Sequence, residues 1–193
     1  MQNSNLDDIG DVQLFFPGDR FPVTAGPNLL GSGWRGGLFV MFVPAAREFT
    51  VEVSDGSSVA GFLLFQSEYY SQQQPGSFSA GSELLVGSPE NYLSHQFLSG
   101  NGGQNLATMI SGGTRAFFKA FETTALNGAG ARVAGAINYN LNDRLRVSEN
   151  GLLCNDSVAN LNAAGVTNPT FVGIVSAVPA AENGNRLCMD MKY

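Results

Sequence analysis

His95 is the only histidine in the chain, within Ser94-His95-Gln96-Phe97, a stretch that reads as part of a strand. A lone imidazole does not make the His-rich clusters common in zinc enzymes. Cys154 and Cys188 stand more than thirty positions apart, so no C-x-x-C pair exists. A nucleophile–His–acid triad stays open by arithmetic alone, since Ser and Asp are plentiful. The G-x-S-x-G turn that presents a nucleophilic serine is absent. Gly31-Ser32-Gly33-Trp34-Arg35-Gly36 matches G-x-G-x-x-G. That fingerprint works only between a strand and a helix whose N-terminus faces a pyrophosphate. Here a Pro-rich loop precedes it and a strand-like segment follows, so it reads as a turning loop. Asp7, Asp8 and Asp11 lack the spacing of a calcium loop and read as a solvated acidic arm. Asn155-Asp156-Ser157 fits a glycosylation sequon and is read as chance. No catalytic, cofactor-binding or metal residue is assigned.

The elements that would position any site are short and β-rich. Met1 to Asp11 is polar, and Val12 to Phe16 is a brief apolar run ending at Pro17-Gly18. From there to Gly37 the density of Gly and Pro predicts an extended loop rather than a helix or a central strand. Residues 1–37 are therefore expected to form an N-terminal arm and loop, with 38–193 as a single β domain. Leu38 to Val43 reads as a buried strand, and Glu48 to Val53 alternates with period two. Val59 to Tyr70 returns after the turn residues Ser54-Asp55-Gly56-Ser57, so 48–70 is expected to be a hairpin. Leu106 to Ile110 is read as one helical turn within a glycine-rich loop. Thr114 to Thr123 puts Arg115, Phe117, Lys119 and Phe121 on one face and Ala116, Phe118, Ala120 and Glu122 on the other. Aromatics on both faces suggest burial on both sides or an interface. Ser148-Glu149-Asn150-Gly151 predicts a type I′ hairpin. A second hairpin joins Phe171–Val178 to Arg186–Lys192, and a short helix is expected over Val158–Ala164. The fold class expected is all-β: an antiparallel sandwich, jelly roll or barrel with long Gly-rich loops and an N-terminal arm.

Composition narrows the function classes. Charged residues are 13%, hydrophobic residues 44%, and Gly is 24 of 193. A disordered chain carries more charge and fewer apolar groups. Ten bases against sixteen acids supply no evident basic patch, so direct nucleic-acid binding is not expected. The longest near-continuous apolar run, Gly37 to Ala46, is interrupted by Pro44 and falls short of the roughly 20 residues a membrane helix needs. Arg20 is the first base after Met1, and Asp7 and Asp8 stand where a signal peptide would be positive. Folding in a cytoplasm is expected. The cysteines then read as reduced and buried, with a cross-strand disulfide as the alternative.

Ordered loops of this length cost entropy unless they pack against something. A subunit of a large assembly supplies such surfaces. Val12, Leu14, Phe15 and Phe16 are candidate subunit contacts through strand addition. Trp34 and Arg35 are candidates as interface anchors. The C-terminal third carries Asn142-Asp143-Arg144-Leu145-Arg146-Val147, Glu149-Asn150-Gly151-Leu152-Leu153, Val172-Gly173-Ile174-Val175 with Pro179 after it, and Leu187 to Tyr193. These segments resemble the closing β-hairpins of tailed-bacteriophage virion proteins, in particular capsid decoration (cement) proteins. The resemblance implies a non-enzymatic structural protein on the capsid surface of a virion, assembled in the host cytoplasm. The partners implied are the major capsid protein and sister subunits, as a homotrimer, with no membrane and no cofactor. The alternative is a receptor- or glycan-binding β module of a tail or fibre, for which Tyr69, Tyr70 and Tyr92 are the supporting aromatics. A small hydrolase on a β scaffold, using His95, is the third reading.

Overall fold

Three phenylalanine rings from distant parts of the chain meet at the centre of the molecule. Phe62 and Phe118 meet edge to face with centroids 4.9 Å apart, and Phe39 lies 5.6 Å from Phe62 and 6.0 Å from Phe118. All three are fully buried. The computed structural model describes residues 8–9, 12–14, 19–26, 28–29, 36–44, 50–63 and 106–192.

Two sheets share this core. Five strands pair in a closed cycle: β3 (Arg20–Ala25), β5 (Thr50–Val53), β4 (Phe39–Phe42), β6 (Gly61–Leu63) and β7 (Leu106–Ile110). The other sheet has seven strands: β1 (Asp8–Ile9), β2 (Val12–Leu14), β8 (Arg115–Phe118), β14 (Leu187–Met191), β13 (Phe171–Ala177), β11 (Arg144–Val147) and β12 (Leu153–Cys154), in that order. A separate hairpin joins β9 (Thr124–Leu126) to β10 (Arg132–Ala136). An α-helix, α1, spans Val158–Ala163. The Ser157 side chain accepts from the Asn160 N–H and caps α1, and Leu161 is its buried residue.

This is a mixed β architecture, and it corrects the expected purely antiparallel sandwich, jelly roll or barrel. β3 runs parallel to β5, with Thr24 opposite Thr50 and Ala25 opposite Val51. A parallel bridge also joins Phe121, just beyond β8, to Leu153 in β12, and curls the seven-stranded sheet into an open half-barrel. Alternation in a sequence says which face of a strand is buried. It does not say which strand lies along each edge, and the direction of pairing is an edge property.

The same cause moves other elements. β5 and β6, the described strands of the expected 48–70 hairpin, do not pair with each other, because both pair antiparallel with β4, which lies between them. Leu106–Ile110 is a strand, paired with β3 and β6. The Pro/Gly-rich segment contains β3, and Pro22 is tolerated there because pairing with β5 begins only at Thr24. Glu52 holds the residues after β3, its carboxylate accepting from the N–H groups of Asn28 (3.1 Å) and Leu29 (2.7 Å). Within residues 1–37, Val12, Val23, Ala25 and Leu29 are all buried in the core.

β8 alternates as read, but one face rather than both is buried within this chain. Ala116 and Phe118 are buried, Arg115 is exposed and Phe117 is half-buried. The turn after β11 is an Asn-Gly hairpin of another type than expected. Gly151 has φ +71°, whereas Asn150 is not among the residues with positive φ. The Ser148 N–H donates to Leu152 O at 2.8 Å, which leaves a three-residue loop closed by a left-handed glycine. A Cβ on Gly151 would lie 2.7 Å from Val53 Cγ1 and 2.9 Å from Phe39 O, so glycine is required for space as well as for φ. The Gly151 carbonyl accepts from the Phe39 N–H at 2.8 Å and ties the two sheets through backbone.

Phe118→Ala removes one ring of the trio and is expected to cost about 3–5 kcal/mol, read as a lower urea midpoint. Phe117→Ala, one residue earlier and on the other face, is expected to cost clearly less in the same titration.

Candidate functional site

Glu122 has the same parity as Ala116, Phe118 and Ala120, so the strand pattern turns a carboxylate toward the apolar side. It is buried there, and its partners arrive from three other elements. Arg132, the first residue of β10, brings the cation. Its guanidinium donates to both carboxylate oxygens of Glu149 at 3.0 Å, and to Asp156 Oδ2 and Thr124 O at 2.6 Å. Glu122 Oε1 lies 3.5 Å away. Glu122 also accepts from Ser148 Oγ (2.7 Å) and Asn150 Nδ2 (2.9 Å), and Asp156 Oδ1 accepts from the Leu126 N–H (2.9 Å).

Local turn chemistry aims these groups. Asn127 Oδ1 accepts from the N–H groups of Ala129 and Ala131 and sets the β9–β10 turn. The Ser148 hydroxyl oxygen accepts from the N–H groups of Asn150 and Leu152 and sets the β11–β12 turn. Burial works to lower the Arg132 pKa. The hydrogen bonds it donates to Glu149 and Asp156 and the charge of Glu122 outweigh it, and the guanidinium is held above its ordinary value. A permanently charged cation with every contact directed at this chain's own groups is a tie between elements. It knits the β9–β10 hairpin to the β11–β12 turn and to the segment that enters α1.

Tyr139 extends the tie. Its hydroxyl donates toward Glu122 O (2.7 Å) and Leu153 O (3.2 Å). Burial, then the negative charges around it, raise its pKa. Its ring meets Phe121 edge to face at 5.5 Å. A cavity of about 310 Å³ opens beside these rings, lined by Phe121, Thr123, Ile137, Asn138, Tyr139, Val178 and Pro179. The Tyr139 hydroxyl is spent on the two carbonyls, so it is not poised as an acid or base in that cavity.

A second cluster lies on the outer face of the seven-stranded sheet. Arg144, Ile174, Asp190 and Arg115 stand opposite one another across β11, β13, β14 and β8. Arg115 and Asp190 form a bidentate ion pair, with Nη2 to Oδ2 at 2.7 Å and a second contact from Nε to Oδ1. The Arg115 hydrogen bond holds the Asp190 carboxyl below its ordinary value. Arg144 lies over the Phe171 ring, 5.2 Å from its centroid.

Cys154 and Cys188 are both free and buried. They sit on β12 and β14, three strand spacings of about 4.8 Å apart. That is beyond the roughly 7 Å reach of a disulfide. Burial, with the charge of Asp156, pushes the Cys154 thiol from 9.0 up to about 12. The Ser176 hydroxyl donates to Cys188 Sγ at 3.1 Å.

The residues singled out in the sequence fall as follows. Val12 is fully buried within this chain's own core, and its strand pairs with β8. Leu14 is opposite Ala116 in that pairing. Phe15, Phe16, Trp34, Arg35, His95, Tyr69, Tyr70 and Tyr92 lie outside the described residues. Among the described residues no three His, Cys, Asp or Glu side chains converge as a metal site, and no helix is long and apolar enough to cross a membrane. The sequence reading missed the Arg132 tie, although Glu122 on an otherwise apolar face was its signal. Comparison with protein-family models, curated proteins and solved structures finds no match.

Arg132→Met leaves three carboxylates without their shared cation and is expected to cost about 3–5 kcal/mol, measured by urea unfolding. Cys154 gives a pH signature. The folded chain holds its proton more tightly than the unfolded chain, so that stabilisation is intact below about pH 9 and declines as pH rises toward 12. Cys154→Ala is expected to lower stability at neutral pH but to flatten the fall above pH 9.

Proposed function

We propose that this chain is a non-enzymatic structural subunit of a tailed-bacteriophage virion, of the capsid decoration type. In this reading it sits on the capsid surface, binds the major capsid protein and sister subunits, and stabilises the head. The carrying observation is the Arg132 tie. The densest polar cluster among the described residues joins separate elements to one another and directs its charge inward. That is the economy of a part made to hold shape. The resemblance of residues 142–193 to virion hairpins supplies the assembly. Those residues make up β11 to β14, the half of the seven-stranded sheet that carries the arginine-rich outer face.

The test is addition of purified protein to capsid shells that lack it. Co-sedimentation with the shells and a higher temperature or chaotrope concentration for their disruption are expected. A protein that neither sediments with shells nor changes their disruption overturns the reading.

The cavity beside Phe121 and Tyr139 favours a second reading, a glycan-binding module of a tail or fibre. Aromatic walls and two polar side chains, Thr123 and Asn138, suit a sugar ring. Binding on a glycan array that is lost in Phe121→Ala, with no effect on shells, would favour this reading over the first.

A further inference from the structure

Four Asn-Gly pairs stand in the sequence, and Asn127-Gly128, Asn150-Gly151 and Asn183-Gly184 fall among the described residues. The chemistry latent in such a pair is intramolecular. The backbone nitrogen of the glycine can attack the side-chain amide carbon before it, and closing a five-membered ring gains from proximity. Glycine leaves that nitrogen open to approach because it has no Cβ. Three local conditions decide which pair reacts. The attacking nitrogen and the departing Nδ2 must both be free of hydrogen bonds, and N–H groups must aim at Oδ1 to stabilise the developing oxyanion.

Asn150 and Asn183 fail the first two conditions. The Gly151 N–H donates to Ser148 O at 3.1 Å, and Asn150 Nδ2 donates to Glu122 Oε1 (2.9 Å) and Glu149 Oε1 (3.3 Å). The Gly184 N–H donates to Ala181 O at 3.2 Å, and Asn183 Nδ2 donates to Val178 O at 2.9 Å. Asn183 Oδ1 does accept from two N–H groups, those of Ala180 and Arg186. Asn127-Gly128 meets all three conditions. Among the described residues neither the Gly128 N–H nor Asn127 Nδ2 has an acceptor. Asn127 Oδ1 accepts from the N–H groups of Ala129 (2.9 Å) and Ala131 (3.0 Å). Backbone bonds from Asn127 N–H to Ala131 O and from Gly130 N–H to Asn127 O, both 3.0 Å, fix the turn around them.

We propose that Asn127 is a self-modification site, at which the folded chain converts its own side-chain amide to a carboxylate through a cyclic imide. The Gly128 nitrogen gives its proton to solvent hydroxide, and its electron pair forms a new bond to Asn127 Cγ. The Cγ–Nδ2 bond then breaks, and Nδ2 takes a proton from water and leaves as ammonia. Water adds to either carbonyl of the imide and breaks one of its C–N bonds, which leaves aspartate or isoaspartate at this position. The Ala129 and Ala131 N–H groups stabilise the charge on Oδ1 during the attack. The isoaspartate product runs the main chain through Cβ and Cγ, so it adds a backbone atom to the β9–β10 turn and takes Oδ1 into a peptide bond. Arg132 follows that turn directly, so its tie to Glu149 and Asp156 is loosened in the modified chain. This chemistry belongs to the turn and is independent of the virion reading.

The experiment incubates the full chain in mildly alkaline buffer made with heavy-oxygen water, followed by peptide mapping with tandem mass spectrometry. Label is expected to enter at Asn127 several-fold faster than at Asn150 or Asn183 while the chain is folded. In urea the three rates are expected to converge, because the protecting hydrogen bonds of the slower pairs are gone. Gly128→Ala is expected to keep the wild-type thermal midpoint, since its Cβ meets nothing within 4 Å, and to lose most of the labelling at Asn127. The isoaspartate fraction, separated by anion exchange, is expected to melt below the unmodified protein. Equal rates at the three pairs in the folded chain, the same ranking in urea, or undiminished labelling in Gly128→Ala each overturns the proposal. An isoaspartate fraction that melts like the unmodified protein overturns the claimed effect on the Arg132 tie.

Discussion

The contact among Phe39, Phe62 and Phe118 is the constraint on which the rest of the molecule depends. Two of the rings belong to the five-stranded cycle and the third to the seven-stranded sheet. Neither sheet is large, and the apolar side of each is covered by the other. The buried residues accordingly form one main cluster drawn from both sheets. Nearby backbone follows the rings: Phe39 N–H reaches Gly151 O, and Thr170 N–H reaches Gly56 O at 3.3 Å. Apolar burial sets the distance between the layers, and these hydrogen bonds then fix their register.

Charge plays the complementary part. A chain with 13% charged residues still places Glu122, Glu149, Asp156 and Arg132 together in a partly or wholly buried cluster. Such a cluster contributes little net stability compared with apolar packing, because desolvation offsets most of the attraction. Its effect is geometric. The planar guanidinium accepts only certain approaches, so the β9–β10 hairpin has one way to lie against the sheet. A smaller apolar group around Leu126, Cys154, Leu161 and Val166 sits under this tie and gives the hairpin and α1 their own footing.

Much of the local structure was legible from residue types. The hairpin of β13 and β14 and the span of α1 follow from period-two alternation and turn chemistry. What was illegible was long-range pairing. Glu48 to Val53 announced a strand, yet nothing in it specified a parallel neighbour at Thr24. Leu106 to Ile110 was read as a helical turn, and its β form is decided by β3 and β6 on either side. Pro22 argued against a strand where one exists, because the argument holds only for an edge already occupied. For the ion cluster, Glu122 was placed on the correct face, but sixteen acids and ten bases allow too many pairings for sequence spacing to select one.

The position of β8 has a consequence for how the protein is made. It lies between β2, near the start of the chain, and β14, the last strand described. β3 waits in the same way for β7, more than eighty residues downstream. Contacts of such sequence separation close loops at high entropic cost before any stabilisation is gained, and they slow folding. During synthesis the early strands therefore emerge without their neighbours. The seven-stranded sheet reaches completion only after β14 has left the ribosome, so the early strands wait for the last.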